Sequence, residues 1–163
     1  LYRIKSCDIT EIEIIETKLN ELTAELGGID LLIFSSGIGN INTDLDFEID
    51  KKTIETNVLG FTCVLDWAFN HFKKQQHGHL VVISSIAGIR GNKNSTSYNA
   101  TKAYQINYLE GLRQKAKQLK MKIHVTDIRP GFVNTDMAKG DGLFWVASVE
   151  KAGKQIYKSI LKK

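Results

Sequence analysis

The sequence predicts an α/β fold: a doubly wound parallel sheet covered by helices on both faces, three layers in the order α/β/α. Two observations carry this. IDLLIF (29–34), HLVVIS (79–84) and MKIHVTDI (121–128) are apolar runs without alternation, as expected of strands buried on both faces. Between them, apolar residues recur at steps of three and four, the stripe of amphipathic helices. Strand alternating with helix in this way means parallel pairing.

In chain order, LYRIKSCDI (1–9) reads as a short strand that leaves the sheet at Asp8-Ile9-Thr10. Ile12, Ile15, Leu19, Leu22 and Leu26 form the next helical stripe, stopped by Gly27-Gly28. After the strand 29–34, SSGIGN breaks the chain, and Ile54, Val58, Phe61, Leu65, Phe69 and Phe72 mark a long helix over 48–72. Val64 and Trp67 make it apolar on a second face, which predicts packing against the sheet and a further partner. A polar loop, 88–97, leads into a helix over 98–119 marked by Ala103, Tyr108, Leu109, Leu112, Ala116 and Leu119. Arg129-Pro130-Gly131 ends the third strand, and 148–163 reads as a polar-rich helix.

Residues 1–163, with 42% hydrophobic content, are expected to form a single domain with its own core. The net charge, 22 − 18 = +4, comes from lysines and arginines scattered singly or in pairs, so a solvated surface is expected and no nucleic-acid partner. Cys7 and Cys63 show no CxxC spacing, which argues against a disulfide framework and a metal centre and for a reducing, cytoplasmic compartment. No apolar run reaches the roughly 18 residues of a membrane span. LYRIKSCDIT is neither a signal peptide nor a natural start, so the sequence is expected to begin inside a longer protein.

In such sheets ligands bind beyond the carboxyl ends of the strands. Asp8, Ser35-Ser36-Gly37, Ser84-Ser85 and Pro130-Gly131 all fall there. Ser85 follows a strand, while Tyr98 and Lys102, four apart, share one helix face with side chains about 6 Å apart. An ammonium beside a phenol favours the phenolate, so the tyrosine is tuned to exchange a proton with an alcohol or carbonyl oxygen. The serine hydroxyl can hold that oxygen. A dinucleotide cofactor would supply the missing hydride.

Ser85, Tyr98 thirteen residues later, and Lys102 resemble the active-site pattern of the short-chain dehydrogenases/reductases. HLVVISSIAG, NVLG around Asn57 and RPGFVNTDM are similar to further motifs of that family, in the same order. The resemblance implies a Rossmann-like fold and hydride transfer between NAD or NADP and a small-molecule carbonyl or secondary alcohol. Tyr98 would be the general acid/base, Lys102 would lower its pKa and hold the nicotinamide ribose, and Ser85 would orient the substrate. Asn57 would bend its helix locally and hold a water linking Lys102 to solvent. Pro130, Gly131, the backbone near Val133 and the Thr135 hydroxyl would bind the nicotinamide carboxamide. Gly37 would pass close to the cofactor ribose. Asp8 would contact the adenine; from the residues alone, a strand-end Asx turn is an equal reading. GLFWVAS (142–148) would belong to a mobile substrate lid. Family members often form homodimers or homotetramers through the helices matching 48–72 and 98–119, and the same is expected here.

The sequence departs from the family in two places. Phe34-Ser35-Ser36-Gly37 replaces Asn-Asn-Ala-Gly, so bracing of the sheet there must come from serine hydroxyls or from packing of Phe34. The glycine-rich pyrophosphate turn is absent, and with it the first β-α-β unit; no seventh strand follows the last helix. The alternative to an enzyme is a non-catalytic dinucleotide-binding sensor or scaffold of the same fold.

Overall fold

A computed structural model describes residues 2–135, 137 and 145–162. Its strands are β1 (Leu31–Phe34), β2 (His77–Ile83) and β3 (Lys122–Ile128), all parallel and adjacent in the order β1-β2-β3. Phe34 lies opposite Val82 and Ile83 opposite Ile128, so the strands end level and their following loops meet in one crevice.

Helix α1 (Ile12–Leu26) follows the predicted stripe, with Ile15 fully buried. Gly27 takes the left-handed conformation, φ 79°, and the N–H groups of Gly27 and Gly28 return to Ala24 and Thr23, closing the helix end. The long helix predicted over 48–72 is two α-helices, α2 (Phe47–Ile54) and α3 (Phe61–Gln75), joined by a π-helical turn at Glu55–Gly60. Asp46 caps α2 by accepting from the Glu48 N–H at 2.9 Å. Helix α4 (Thr96–Gln118) precedes β3, and α5 (Val149–Lys162) follows it.

Side-chain alternation sorts the sheet into two faces. Leu32, Phe34, Leu80, Val82, Ile123 and Val125 point to one face and join Phe61, Leu65, Phe72 and Leu109 in the core under α1, α3 and α4. Helix α5 lies against β3, and Ile128, Pro130, Ile156 and Ser159 line the cavity between them. Elsewhere on that second face Leu31 and Ile33 are 40% and 48% exposed. The expectation that IDLLIF is buried on both faces is therefore corrected for β1, although Val81 and His79 of β2 on that same face are buried.

Residues 2–9 form no strand, against expectation. A strand exists by ladder pairing, and this segment meets no strand edge. Its end runs over the π turn instead: a Cβ on Gly60 would sit 2.3 Å from the Ile9 carbonyl oxygen, so only glycine lets the two backbones approach. Trp67, on the second face of α3, donates its indole N–H to Asn20 of α1 at 2.9 Å.

Candidate active site

The π turn is where the site begins. In an α-helix the Phe61 N–H would bond the carbonyl of Asn57; here it goes to Thr56, five residues back, and to Val58. The Asn57 carbonyl instead accepts from the Gln105 Nε2 of α4 at 2.9 Å. The Asn57 side chain, fully buried, faces the loop after β1: Nδ2 donates to the Ile38 carbonyl at 2.7 Å and Oδ1 accepts from the Ile38 N–H at 2.9 Å. Nδ2 also donates to the Thr101 hydroxyl at 3.1 Å. One asparagine thus pins the β1 loop to α4.

Gly37 stands at that loop's closest approach. A Cβ there would lie 3.3 Å from Asn57 Oδ1 and 3.5 Å from Lys102 Nζ. Two residues on, a Cβ on Gly39 would lie 2.7 Å from the Tyr98 ring. The altered stretch before Gly37 is held by packing: Phe34 is 4% exposed and meets Phe61 edge-on, centroids 5.4 Å apart. This is one of the two braces expected for it.

Tyr98 and Lys102 lie one turn apart in the first part of α4, with Lys102 Nζ 5.8 Å from the Tyr98 ring centroid. Lys102 is 4% exposed; Nζ donates to the Ile83 carbonyl at 3.3 Å and to Gln105 Oε1 at 3.0 Å. Burial pulls its pKa down to about 8, because a desolvated ammonium is disfavoured, and the Asp127 charge opposes that fall. Asp127 itself is held by the Ser84 hydroxyl and by Arg129 Nε at 2.6 Å.

Ser85 caps the short 3₁₀ turn Ile86–Ile89, its Oγ accepting from the Ala87 N–H at 3.1 Å. The hydroxyl proton remains free to donate elsewhere. Asn99, the residue after Tyr98, ties this turn to α4 by donating to the carbonyls of Ala87 at 2.8 Å and Arg90 at 2.7 Å. The Pro130 carbonyl accepts from the Ile86 N–H at 3.1 Å, which brings Pro130 and Gly131 beside the serine loop. Asn57, Ser85, Tyr98, Lys102, Gly37, Pro130 and Gly131 therefore gather at one end of the sheet.

The remaining sequence candidates lie further out. Val133 pairs with Ala147 in an isolated bridge, and the Thr135 hydroxyl donates to the Val133 carbonyl at 3.3 Å. Asp8 accepts from the N–H and hydroxyl of Thr10 at 2.9 and 2.8 Å, an Asx turn that holds its carboxyl below the usual range. Of GLFWVAS, residues 142–144 lie outside the described residues, while Trp145 is 93% exposed.

Sequence reasoning missed Asn99, Thr101 and Gln105, all buried. For Gln105 a signal existed: Lys102, Gln105, Leu109, Leu112 and Ala116, at steps of three and four, are the stripe that α4 buries. Of the other apolar marks, Ala103 is exposed, Tyr108 packs half-buried against the core, and Leu119 lies at the helix C-cap.

The sequence profile described as short chain dehydrogenase matches residues 2–142. An uncharacterized oxidoreductase of Myxococcus xanthus is 33% identical over 80% of this chain and 51% of its own length. A 3-oxoacyl-[acyl-carrier-protein] reductase of Bos taurus is 28% identical over 82% of this chain and 56% of its own length. The chain thus spans just over half the length of these curated relatives. Among solved structures, ElxO with NADP bound superposes with a TM-score of 0.83 at 24% identity, covering 97% of this chain and 70% of that one. NAD+-bound xylitol dehydrogenase gives the same TM-score at 18% identity, covering 96% and 71%. Likeness of the fold at this level agrees with the profile match over most of the chain: it belongs to the short chain dehydrogenase family.

Proposed function

We propose that the protein is an NAD- or NADP-dependent oxidoreductase that interconverts a carbonyl compound and a secondary alcohol. The observation that carries this reading is the Lys102 ammonium held 5.8 Å from the Tyr98 ring, one turn along the same helix. Among the described residues the Tyr98 hydroxyl has no hydrogen-bond partner, which leaves it available to a substrate oxygen.

The residues fit a nicotinamide dinucleotide. Gly37 leaves bare backbone beside Lys102, in a place where a side chain would crowd a ribose. Lys102 Nζ uses two of its three N–H groups within the chain, and the third can meet a ribose hydroxyl. Pro130, Gly131, Val133 and Thr135 would hold the carboxamide, and Asp8 the adenine. The bound nicotinamide supplies or accepts the hydride. In reduction Tyr98 donates its phenolic proton to the carbonyl oxygen; in oxidation the phenolate takes it back. Ser85, whose Oγ already accepts from Ala87, donates its own proton to the same oxygen and so fixes its position. Lys102, one turn along the helix, stabilises the phenolate electrostatically. The relatives named as reductases, and the neighbours solved with NADP or NAD+, support the cofactor class.

The test uses the whole protein, wild type and Tyr98→Phe, titrated with NADH and NADPH by nicotinamide fluorescence and then assayed with a panel of carbonyl compounds. The expected result is that both forms bind the same cofactor and that the variant turns over about 10²–10⁴-fold more slowly. Equal binding with no turnover in either form favours the sensor reading; binding in neither sinks the assignment.

A further inference from the structure

We propose that Gln105 is a positioning residue of this site: its side-chain amide bridges the Lys102 ammonium and the Asn57 carbonyl, in the place that family resemblance gives to a water. The proposal deepens the oxidoreductase reading and rests on it. Gln105 is fully buried, three residues beyond Lys102 on the stripe that α4 turns inward. Its Nε2 donates to the Asn57 carbonyl at 2.9 Å, and its Oε1 accepts from Lys102 Nζ at 3.0 Å. Only this orientation works, because the flipped amide would set donor against donor and acceptor against acceptor.

The bridge has a structural cause at each end. The π turn withdraws the Phe61 N–H from the Asn57 carbonyl, which then needs another donor in a buried place. The buried ammonium needs acceptors, and the end of β2 offers it one, the Ile83 carbonyl. A glutamine at 105 answers both. Asn57 is committed on its other atoms to Ile38 and Thr101, and Thr101 donates in turn to the Tyr98 carbonyl at 2.8 Å. The network therefore runs from the β1 loop through the π turn to Tyr98 and Lys102. A covalently tethered amide fixes the ammonium more tightly than an exchangeable water.

Among the described residues, the charged or titratable groups that face Lys102 are Asp127 from β3 and Tyr98 on its own helix. The π turn contributes Asn57 and the β1 loop contributes Gly37, neither of which titrates. Changing Gln105 to an uncharged residue thus alters the surroundings of Lys102 without adding a further titratable neighbour.

The experiment uses Gln105→Glu and Gln105→Met in the whole protein. Lys102 is followed by ¹³C NMR of lysine-labelled protein, its signal assigned with Lys102→Met, and the pH profile of carbonyl reduction is measured alongside. Glu places a carboxylate against the ammonium, so the Lys102 midpoint should rise by about one pH unit or more. The pH midpoint of turnover should move upward as well. Met fills similar volume without an acceptor, so the Lys102 midpoint should fall and kcat should drop about tenfold or more, with the carbonyl KM changed far less. A Lys102 midpoint unmoved in both folded variants overturns the proposal; if Met prevents folding, the Glu variant alone decides it. A protein without turnover in which Lys102 still shifts would sink the oxidoreductase reading and leave the bridge standing.

Discussion

On one face of the sheet Leu32, Phe34, Leu80, Val82, Ile123 and Val125 lie beneath three helices, and at its end the buried Asn57, Thr101, Lys102 and Gln105 are hydrogen-bonded to one another and to the backbone. On the other face Val81 and His79 of β2 are buried, the His79 ring meeting the Thr126 hydroxyl at 2.8 Å, but Leu31 and Ile33 of β1 stand 40% and 48% exposed. The Lys102 ammonium is held at the end of the sheet, between the Ile83 carbonyl of β2 and Gln105 of α4.

The sharpest way to break this contrast is to hollow the covered side. Phe61 is fully buried and meets Phe34, Tyr108 and Tyr104 edge-on at 5.4, 5.6 and 6.3 Å. Phe61→Ala should lower stability by about 3–5 kcal/mol, read by urea denaturation. It should also disturb the site, since Phe61 begins the helix that follows the π turn. A loss under about 1 kcal/mol would mean that this face is packed less tightly than described.

An intermediate effect is expected from Lys102→Met, and it depends on pH. The folded lysine titrates near 8 against an ordinary 10.5, so the unfolded chain binds more protons between those values. Wild-type stability should therefore rise with pH across that window and be flat below it, where the cost of burying the ammonium is felt in full. The methionine variant lacks the rise, so its advantage at pH 7 should shrink toward pH 10 in paired denaturation curves. Parallel curves at both pH values would show that Lys102 keeps an ordinary pKa.

The smallest effect belongs to the open face. Ile33→Thr keeps β-branching on a half-exposed strand position and should shift stability by no more than about 0.5–1 kcal/mol by the same denaturation assay. A loss comparable to that of Phe61→Ala would reveal that Ile33 is covered in the whole protein, and the comparison of faces would then apply only to this stretch of chain.

The helices were legible in the sequence because steps of three and four report which side is buried, and the strand ends because turn residues interrupt the apolar runs. That Ser85, Tyr98 and Lys102 come to one end of the sheet was legible from their spacing and their place after a strand. The segment 2–9 was misread because its composition suits a strand, while pairing depends on a neighbouring edge that composition cannot supply. Gln105 was passed over because attention to apolar marks on α4 drew the stripe through Tyr108 rather than through a buried amide. The one-sided burial of IDLLIF was equally invisible, since an unbroken apolar run reads the same whether one helix layer covers it or two.

The π turn at Glu55–Gly60 also makes the helix a counting device. Each residue of an α-helix advances the side chains by about 100° and 1.5 Å. A turn wound one residue wide stores one unit of that count, and everything from Phe61 to Gln75 is set in phase by it. Winding the same six residues as ordinary α-helix would dial the downstream helix round by about a quarter turn and swing Phe61, Leu65 and Phe72 aside together. Deleting one residue would instead let the turn tighten with their phase kept. Length, in this short stretch, is as much a coded quantity as side-chain chemistry.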